Sequence, residues 1–249
     1  MSSNRNFIGF LLGLVGAYLF VLGTGGVELP GLNIELSGSG QALALFAGLV
    51  LAVAAAVWLG RGYDPTRDDT RIVQNPTFVQ FLFESPRSAP LWLGVRLFMG
   101  LNWLLSGFGK LSNPEWMNGS SLQAFWERAV AIPETGRPAI TFDWYRNFLQ
   151  GLLSGNHQTW FAPLVALGET LVGLALILGA FVGVAAFIGA FMNMNFMLAG
   201  SASSNPLLFT LAVLLVLAWK VAGYYGLDRY LLPMLGAPWA PGPLFRRTT

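Results

Sequence analysis

The chain has 249 residues, of which 54% are hydrophobic and only 10% are charged. Because soluble domains average about 25% charged residues, this composition indicates that most of the surface faces lipid. The sequence contains no cysteine, which excludes disulfides, iron–sulfur clusters and zinc–thiolate sites carried by this chain. The single histidine, His157, excludes bis-histidine haem ligation within one chain, and a net charge of +2 does not favour nucleic acid. We expect no metal site and no covalently bound cofactor.

Six apolar segments approach the roughly 20 residues that a helix needs to cross a bilayer. They predict transmembrane helices at Phe7–Gly23, Ala42–Leu59, Ala89–Gly109, Trp160–Leu178, Gly183–Leu198 and Pro206–Tyr224. The loop 24–41 has no Lys or Arg, whereas the segment 60–88 and the C-terminal tail are rich in arginine. By the positive-inside rule, both termini are expected in the cytoplasm.

Two loops on the opposite side are expected to have structure of their own. The segment Val27–Leu36 alternates around a Pro-Gly turn and predicts a small β-hairpin. In the long loop, Ser120 and Gln123 match a capping box that starts an amphipathic helix with the apolar face Leu122, Phe125, Trp126 and Ala129. Asp143 is expected to cap a second helix, whose apolar face is Trp144, Phe148 and Leu152. Both short amphipathic helices should lie on the outer membrane interface as a lid.

Two charged residues fall inside predicted spans, Arg96 in the third and Glu169 in the fourth. A charge at membrane depth costs about 3 kcal/mol on insertion scales. At about 1.5 Å of rise per residue, Arg96 should lie roughly 11 Å and Glu169 roughly 16 Å above the cytoplasmic edge. The sequence therefore predicts a buried Arg96–Glu169 ion pair, which serves either as a structural clamp between two helices or as a site for a polar or anionic ligand.

The fifth span contributes two amides, Asn193 and Asn195, near the level expected for Glu169. Because residues two apart point about 200° apart on a helix, one amide should face the polar cluster and the other a different helix. Interhelical hydrogen bonding is the alternative role for both.

The third span carries a stripe of residues on the face of Arg96. Gly100, Trp103, Gly107 and Lys110 share that face by their i, i+4, i+7 spacing, and Asn102 lies on the adjacent face. Lys110 at the outer boundary either anchors the helix or attracts an anion. His157, at the outer rim, is either a plain surface residue or a proton relay.

Four segments of the chain resemble a known family. "APLWLGVRLFMGLNWLLSGFGKL", "DWYRNFLQGLL", "WFAPLVALGETLVGLALILGAF" and "MNMNFMLAGSASSNPLLF" are similar to the DoxX/DoxD family of bacterial and archaeal membrane proteins, over about Ala89–Leu235. The resemblance implies an all-α protein with a four-helix membrane domain at 89–235. An N-terminal transmembrane hairpin at 1–60, a cytoplasmic linker at 61–88 and a Pro-rich cytoplasmic tail at 236–249 complete the expected six-helix organisation in a cytoplasmic membrane.

The resemblance also implies a function. DoxD is the large subunit of a thiosulfate:quinone oxidoreductase, which joins two thiosulfates into tetrathionate and reduces a membrane quinone. The leading hypothesis is therefore a membrane subunit of a quinone-linked oxidoreductase that works with other redox subunits. Its expected catalytic residues are Arg96 and Glu169, and its expected substrate or quinone contacts are Asn102, Trp103, Lys110, Asn193, Asn195 and His157. The alternative is a non-catalytic accessory subunit of a larger respiratory or photosynthetic complex.

Overall fold

A computed structural model describes residues 2–24, 38–60 and 75–237 of the chain. All regular structure in these ranges is helical, which confirms the predicted all-α class. The predicted hairpin Val27–Leu36, residues 61–74 of the predicted linker and residues 238–249 of the tail lie outside the described residues.

The described helices follow one another with short connections. In chain order they are α1 Ser2–Thr24, α2 Gly38–Gly60, α3 Thr77–Glu84, a 3₁₀ turn Pro86–Ser88, α4 Ala89–Leu111, α5 Pro114–Met117, α6 Ser120–Val130, α7 Asp143–Ser154, α8 Gln158–Leu178, α9 Val182–Leu198, α10 Asn205–Leu217, α11 Trp219–Ala222 and α12 Asp228–Leu235.

Three of these helical stretches are long and apolar enough to cross a membrane: Ser39–Trp58, Pro86–Leu111 and Gln158–Leu178. Three further apolar stretches are shorter, at Phe7–Phe20, Val182–Leu198 and Asn205–Leu217. These helices indicate a membrane protein, whereas six complete spans remain a prediction. The sixth predicted span is also less regular than expected, because Ala218 (φ −86°, ψ 11°) separates α10 from α11.

The chain divides into two compact units. The hairpin unit comprises the described residues of 1–74 together with 132–151, and the bundle unit comprises 75–131 and 152–237. In the hairpin unit, α1 and α2 pack closely through glycines. A Cβ at Gly48 would lie 2.5 Å from the backbone nitrogen of Phe20, and one at Gly16 would lie 2.9 Å from the Gly48 carbonyl oxygen. Larger residues at these positions would force the two helices apart.

In the bundle unit, α4 packs antiparallel on α8, again through glycines. A Cβ at Gly100 would lie 3.1 Å from the backbone nitrogen of Ile177, and one at Gly107 would lie 2.6 Å from that of Thr170. These contacts fix the register between the two helices. α9 packs on α10, and the core between the helix pairs is filled by Trp92, Met99, Trp103, Leu176, Leu215 and their neighbours.

The two predicted amphipathic helices are present as α6 and α7, but two details of the prediction are wrong. Their position as a lid on the outer interface stays a prediction. α6 buries Leu122, Trp126 and Ala129 as expected. Its N-cap, however, is Gly119 in the left-handed region (φ 89°), and the hydroxyl of Ser120 donates to the carbonyl oxygen of Glu115, so no capping box forms.

In α7 the buried face is Tyr145, Arg146 and Leu149. Phe148, expected on the apolar face, is 48% exposed. The face differs because Arg146 turns inward, where it donates to the carbonyl oxygen of Ile140 and pairs with Asp143.

Candidate functional site

A buried ion pair joins α4 to α8. The ammonium nitrogen of Lys110, in the last turn of α4, lies 2.6 Å from Oε2 of Glu169 in the middle of α8. The Glu169 side chain is 1% exposed and that of Lys110 is 21% exposed, so the carboxylate is internal and the lysine connects it to the surface. Lys110 also donates to the hydroxyl of Ser106 over 2.7 Å and lies 5.0 Å from the ring centroid of Trp116. The pair neutralises a charge that would otherwise be costly at membrane depth.

The predicted Arg96–Glu169 ion pair is wrong. Arg96 is 1% exposed, but its guanidinium donates to the carbonyl oxygens of Tyr225 over 3.0 Å and Ala222 over 3.4 Å. The glycine contacts set the register so that Arg96 faces the end of α8 near Gly179, about 21 Å along α4 from Lys110. The heights of Arg96 and Glu169 estimated from the ends of the predicted spans did not take this register into account.

Asp228 is a buried carboxylate near Arg96 that the sequence pattern did not predict. Its carboxylate is buried at the N-terminus of α9, where it accepts from the backbone nitrogens of Phe181 over 2.6 Å and Val182 over 2.8 Å. Burial raises the pKa of Asp228 above its usual value, while these two N–H groups and the nearby Arg96 act in the opposite direction. The carboxylate thus serves as a helix cap that also attracts Arg96.

The Arg96 guanidinium is enclosed by backbone as well. A Cβ at Gly179, which has a φ of 67°, would overlap the guanidinium, and one at Gly226 would lie 2.6 Å from its Nη1 nitrogen. Two backbone hydrogen bonds hold the turn before α12 to the turn after α8. The N–H of Leu227 donates to the carbonyl oxygen of Leu178 over 3.1 Å, and the N–H of Asp228 donates to that of Gly179 over 2.8 Å. We name Arg96, Asp228, Gly179 and Gly226 the arginine clamp.

Asn193 and Trp103 place further polar groups inside the bundle. Asn193 is 0% exposed and Trp103 is 3% exposed. Three polar atoms have no hydrogen-bond partner among the residues that the structure describes: the amide nitrogen and oxygen of Asn193 and the indole nitrogen of Trp103. Asn193 is thus buried in the interior while Asn195 is only partly buried, and the expected contact of one asparagine with the polar cluster stays a prediction.

The other predicted contact residues lie away from this interior. Asn102 is exposed on α4 and donates to the carbonyl oxygen of Phe98 over 2.8 Å. Asn195 donates to the carbonyl oxygen of Phe191 over 2.8 Å. His157 is exposed, and its Nδ1 accepts from the indole nitrogen of Trp160 over 3.2 Å. The structure therefore brings Lys110 and Glu169 together within the bundle and leaves these three residues outside the pair.

One groove lies at the other end of the bundle unit, beside the arginine clamp. It has a volume of about 350 Å³ and its lining is apolar apart from Asp228. Within the described ranges, no group of three His, Asp or Glu side chains is placed to hold a metal ion.

In comparisons with known proteins, no protein-family model, curated protein or solved structure matches this chain.

Proposed function

We propose that the chain is a membrane subunit of a quinone-linked oxidoreductase, as its resemblance to the DoxX/DoxD family implies. The observation that carries the proposal is the Lys110–Glu169 pair, a carboxylate inside a membrane helix bundle with a lysine leading from it to the surface. Charged groups at membrane depth are rare and typically mark ion, proton or substrate sites.

The pair is suited to the chemistry that quinone reduction needs. A quinone takes up two electrons and two protons, and the protons must reach a site within the membrane. Glu169 is proposed to pass on a proton that arrives through Lys110, since general acid–base groups act through direct hydrogen bonds. In this proposal Glu169 exchanges protons, and Lys110 is the hydrogen-bonded neighbour through which they arrive.

Thiosulfate is the electron donor that the resemblance suggests. Two thiosulfate anions give up one electron each and join through a new sulfur–sulfur bond to form tetrathionate, and the quinone takes both electrons and two protons. Lys110 is the cation placed to attract such an anion, because it is partly exposed beside Trp116. The sequence has no cysteine to carry the electrons, and in this proposal they pass directly between bound substrates or through a cofactor of a partner subunit.

The test is thiosulfate-dependent reduction of decylubiquinone by the protein purified from its native membrane with any co-purifying subunits. Glu169→Gln and Lys110→Met should each lower the rate by about 100-fold, the lower end of the effect of an acid–base group. The matched control is Glu127→Gln, because Glu127 is an exposed carboxylate on α6, and it should keep the full rate. Full activity in both Glu169→Gln and Lys110→Met would refute the proposal.

A non-catalytic accessory subunit is the second candidate. The observation that favours it is the separate hairpin unit, in which α1 and α2 form a compact pair of their own that offers lipid-side surface to another subunit. This candidate predicts that the chain co-purifies with redox subunits, has no activity alone, and loses the association when residues 1–60 are removed.

A further inference from the structure

The indole of Trp103 lies along one face of α9. A Cβ at Gly189 would be 3.2 Å from the Trp103 indole nitrogen, and the rings of Trp103 and Phe196 are 6.5 Å apart. Gly189, Asn193 and Phe196 follow the i, i+4, i+7 spacing of one helix face. Since Trp103 meets the first and last of these residues, Asn193 lies between them on the face of α9 that packs against this indole.

Glu169 lies at the level of Asn193. The same Cβ at Gly189 would be 3.4 Å from Cγ1 of Val172, and one at Gly168 would be 3.5 Å from the sulfur of Met192. These contacts give the antiparallel register of α8 and α9 and bring residue 169 of α8 beside residue 193 of α9. Trp103 of α4, Glu169 of α8 and Asn193 of α9 thus lie at neighbouring levels of the three helices.

We infer that Trp103 and Asn193 form a binding site for one hydrogen-bonding oxygen atom in the interior of the bundle. The indole N–H and the amide NH₂ donate to this oxygen, and the amide oxygen of Asn193 accepts from it when it carries a hydrogen. The site is built from three polar atoms that have no partner among the described residues, on side chains that are at most 3% exposed.

The physical reason is the cost of leaving such groups unpaired. An unsatisfied buried donor or acceptor costs about 1–3 kcal/mol, and buried polar groups are almost always paired with protein or with an ordered oxygen. One oxygen atom between the two side chains would satisfy both donors and the acceptor together. That oxygen belongs either to an internal water or to the carbonyl or hydroxyl group of a quinone, and the quinone source rests on the proposed function.

The experiment uses nuclear magnetic resonance of the full chain in nanodiscs, with its tryptophan indole nitrogens labelled with ¹⁵N. The chain has nine tryptophans, and the Trp103 resonance is assigned by its loss in Trp103→Phe. With quinone removed, a water occupant transfers magnetisation from water to the Trp103 indole N–H. On addition of decylubiquinone, a quinone occupant abolishes this transfer or shifts the resonance.

Trp92 is the matched control. It is 2% exposed, but its indole nitrogen donates to the carbonyl oxygen of Leu82 over 2.7 Å, so it should show neither response. Asn193→Leu removes the amide at nearly constant volume and should abolish the Trp103 response. Gly189→Ala keeps Asn193 but places a methyl group against the indole nitrogen, so it should weaken the response even if Asn193→Leu fails to fold.

The outcomes separate the site from the proposed function. Water transfer without any quinone effect supports the site and counts against the quinone as its occupant. A quinone effect that disappears in Asn193→Leu supports both. A Trp103 resonance with neither response, or with responses unchanged in the folded variants, overturns the inference.

Discussion

Lys110 and Glu169 are joined by a 2.6 Å ion pair across the α4–α8 interface. Lys110 ends the buried face of α4, which also carries Arg96, Trp103 and Gly107. The partner of the buried carboxylate is therefore the lysine at the helix end. The arginine in the same helix serves another contact.

The first prediction concerns the stability of this pair. Lys110→Met and Glu169→Gln should each lower the free energy of unfolding by about 3 kcal/mol, because breaking a buried pair leaves one charge uncompensated. The double variant should recover most of this loss, since both charges are removed. Equilibrium unfolding in mixed micelles measures the free energy of unfolding of the two single variants and the double variant.

The exposed pair Lys220–Glu84 is the control for this measurement. Its atoms are 3.6 Å apart and its side chains are 31% and 47% exposed, so Glu84→Gln should cost no more than about 1 kcal/mol. If the buried single variants cost as little as this control, the Lys110–Glu169 pair does not contribute to the fold.

The sequence predicted the long apolar helices, the amphipathic helices α6 and α7 and the buried face of α4, because periodicity fixes which residues share a face. The short helices α3 and α12 were not predicted. The sequence marked Lys110 and Glu169 separately but paired Glu169 with Arg96, because it had no information on register. That register is set by backbone approach at Gly100 and Gly107, which depends on the facing helix.

Asp228 was missed for a similar reason. Its role arises only when the turn before α12 meets the turn between α8 and α9. Residues this far apart in the chain carry no local signal of the contact. The buried face of α7 was misassigned because an inward-facing Arg146 does not follow the hydrophobic pattern on which the prediction relied.

The second prediction tests the glycine-set register. Gly107→Ala should lower the free energy of unfolding by about 1–3 kcal/mol, the usual cost of overpacking, because its Cβ would lie 2.6 Å from the backbone nitrogen of Thr170. Gly94, in the same helix, has open space at its Cβ position. Gly94→Ala should be neutral or stabilise by up to about 1 kcal/mol, and equal losses in both variants would contradict the register.

The third prediction concerns Tyr145 in α7, outside the membrane-spanning helices. Its side chain is 4% exposed, and burial raises the pKa of its phenol from 10.0 to about 12. Because the folded state holds the proton more tightly than the unfolded state, the stabilisation is complete below pH 10 and is lost as the pH rises through about 12. The shift corresponds to roughly 2–3 kcal/mol.

Ultraviolet titration of the wild type and of Tyr145→Phe measures this shift. The difference between the two curves should contain one phenol that ionises near pH 12. An ionisation near pH 10 in the difference curve would contradict the burial of Tyr145.

The last prediction separates two roles for Arg96. As part of the arginine clamp, Arg96 donates to Tyr225 and Ala222 and attracts Asp228. Arg96→Gln should therefore lower the free energy of unfolding by about 3 kcal/mol and speed hydrogen exchange of the Phe181 and Val182 amides, which Asp228 caps. Quinone-reducing activity per folded molecule should stay unchanged, because Glu169 pairs with Lys110, which lies about 21 Å along α4 from Arg96. If Arg96→Gln abolishes activity while unfolding and exchange remain at wild-type values, then Arg96 is a catalytic residue, as the sequence suggested, and the clamp is incidental.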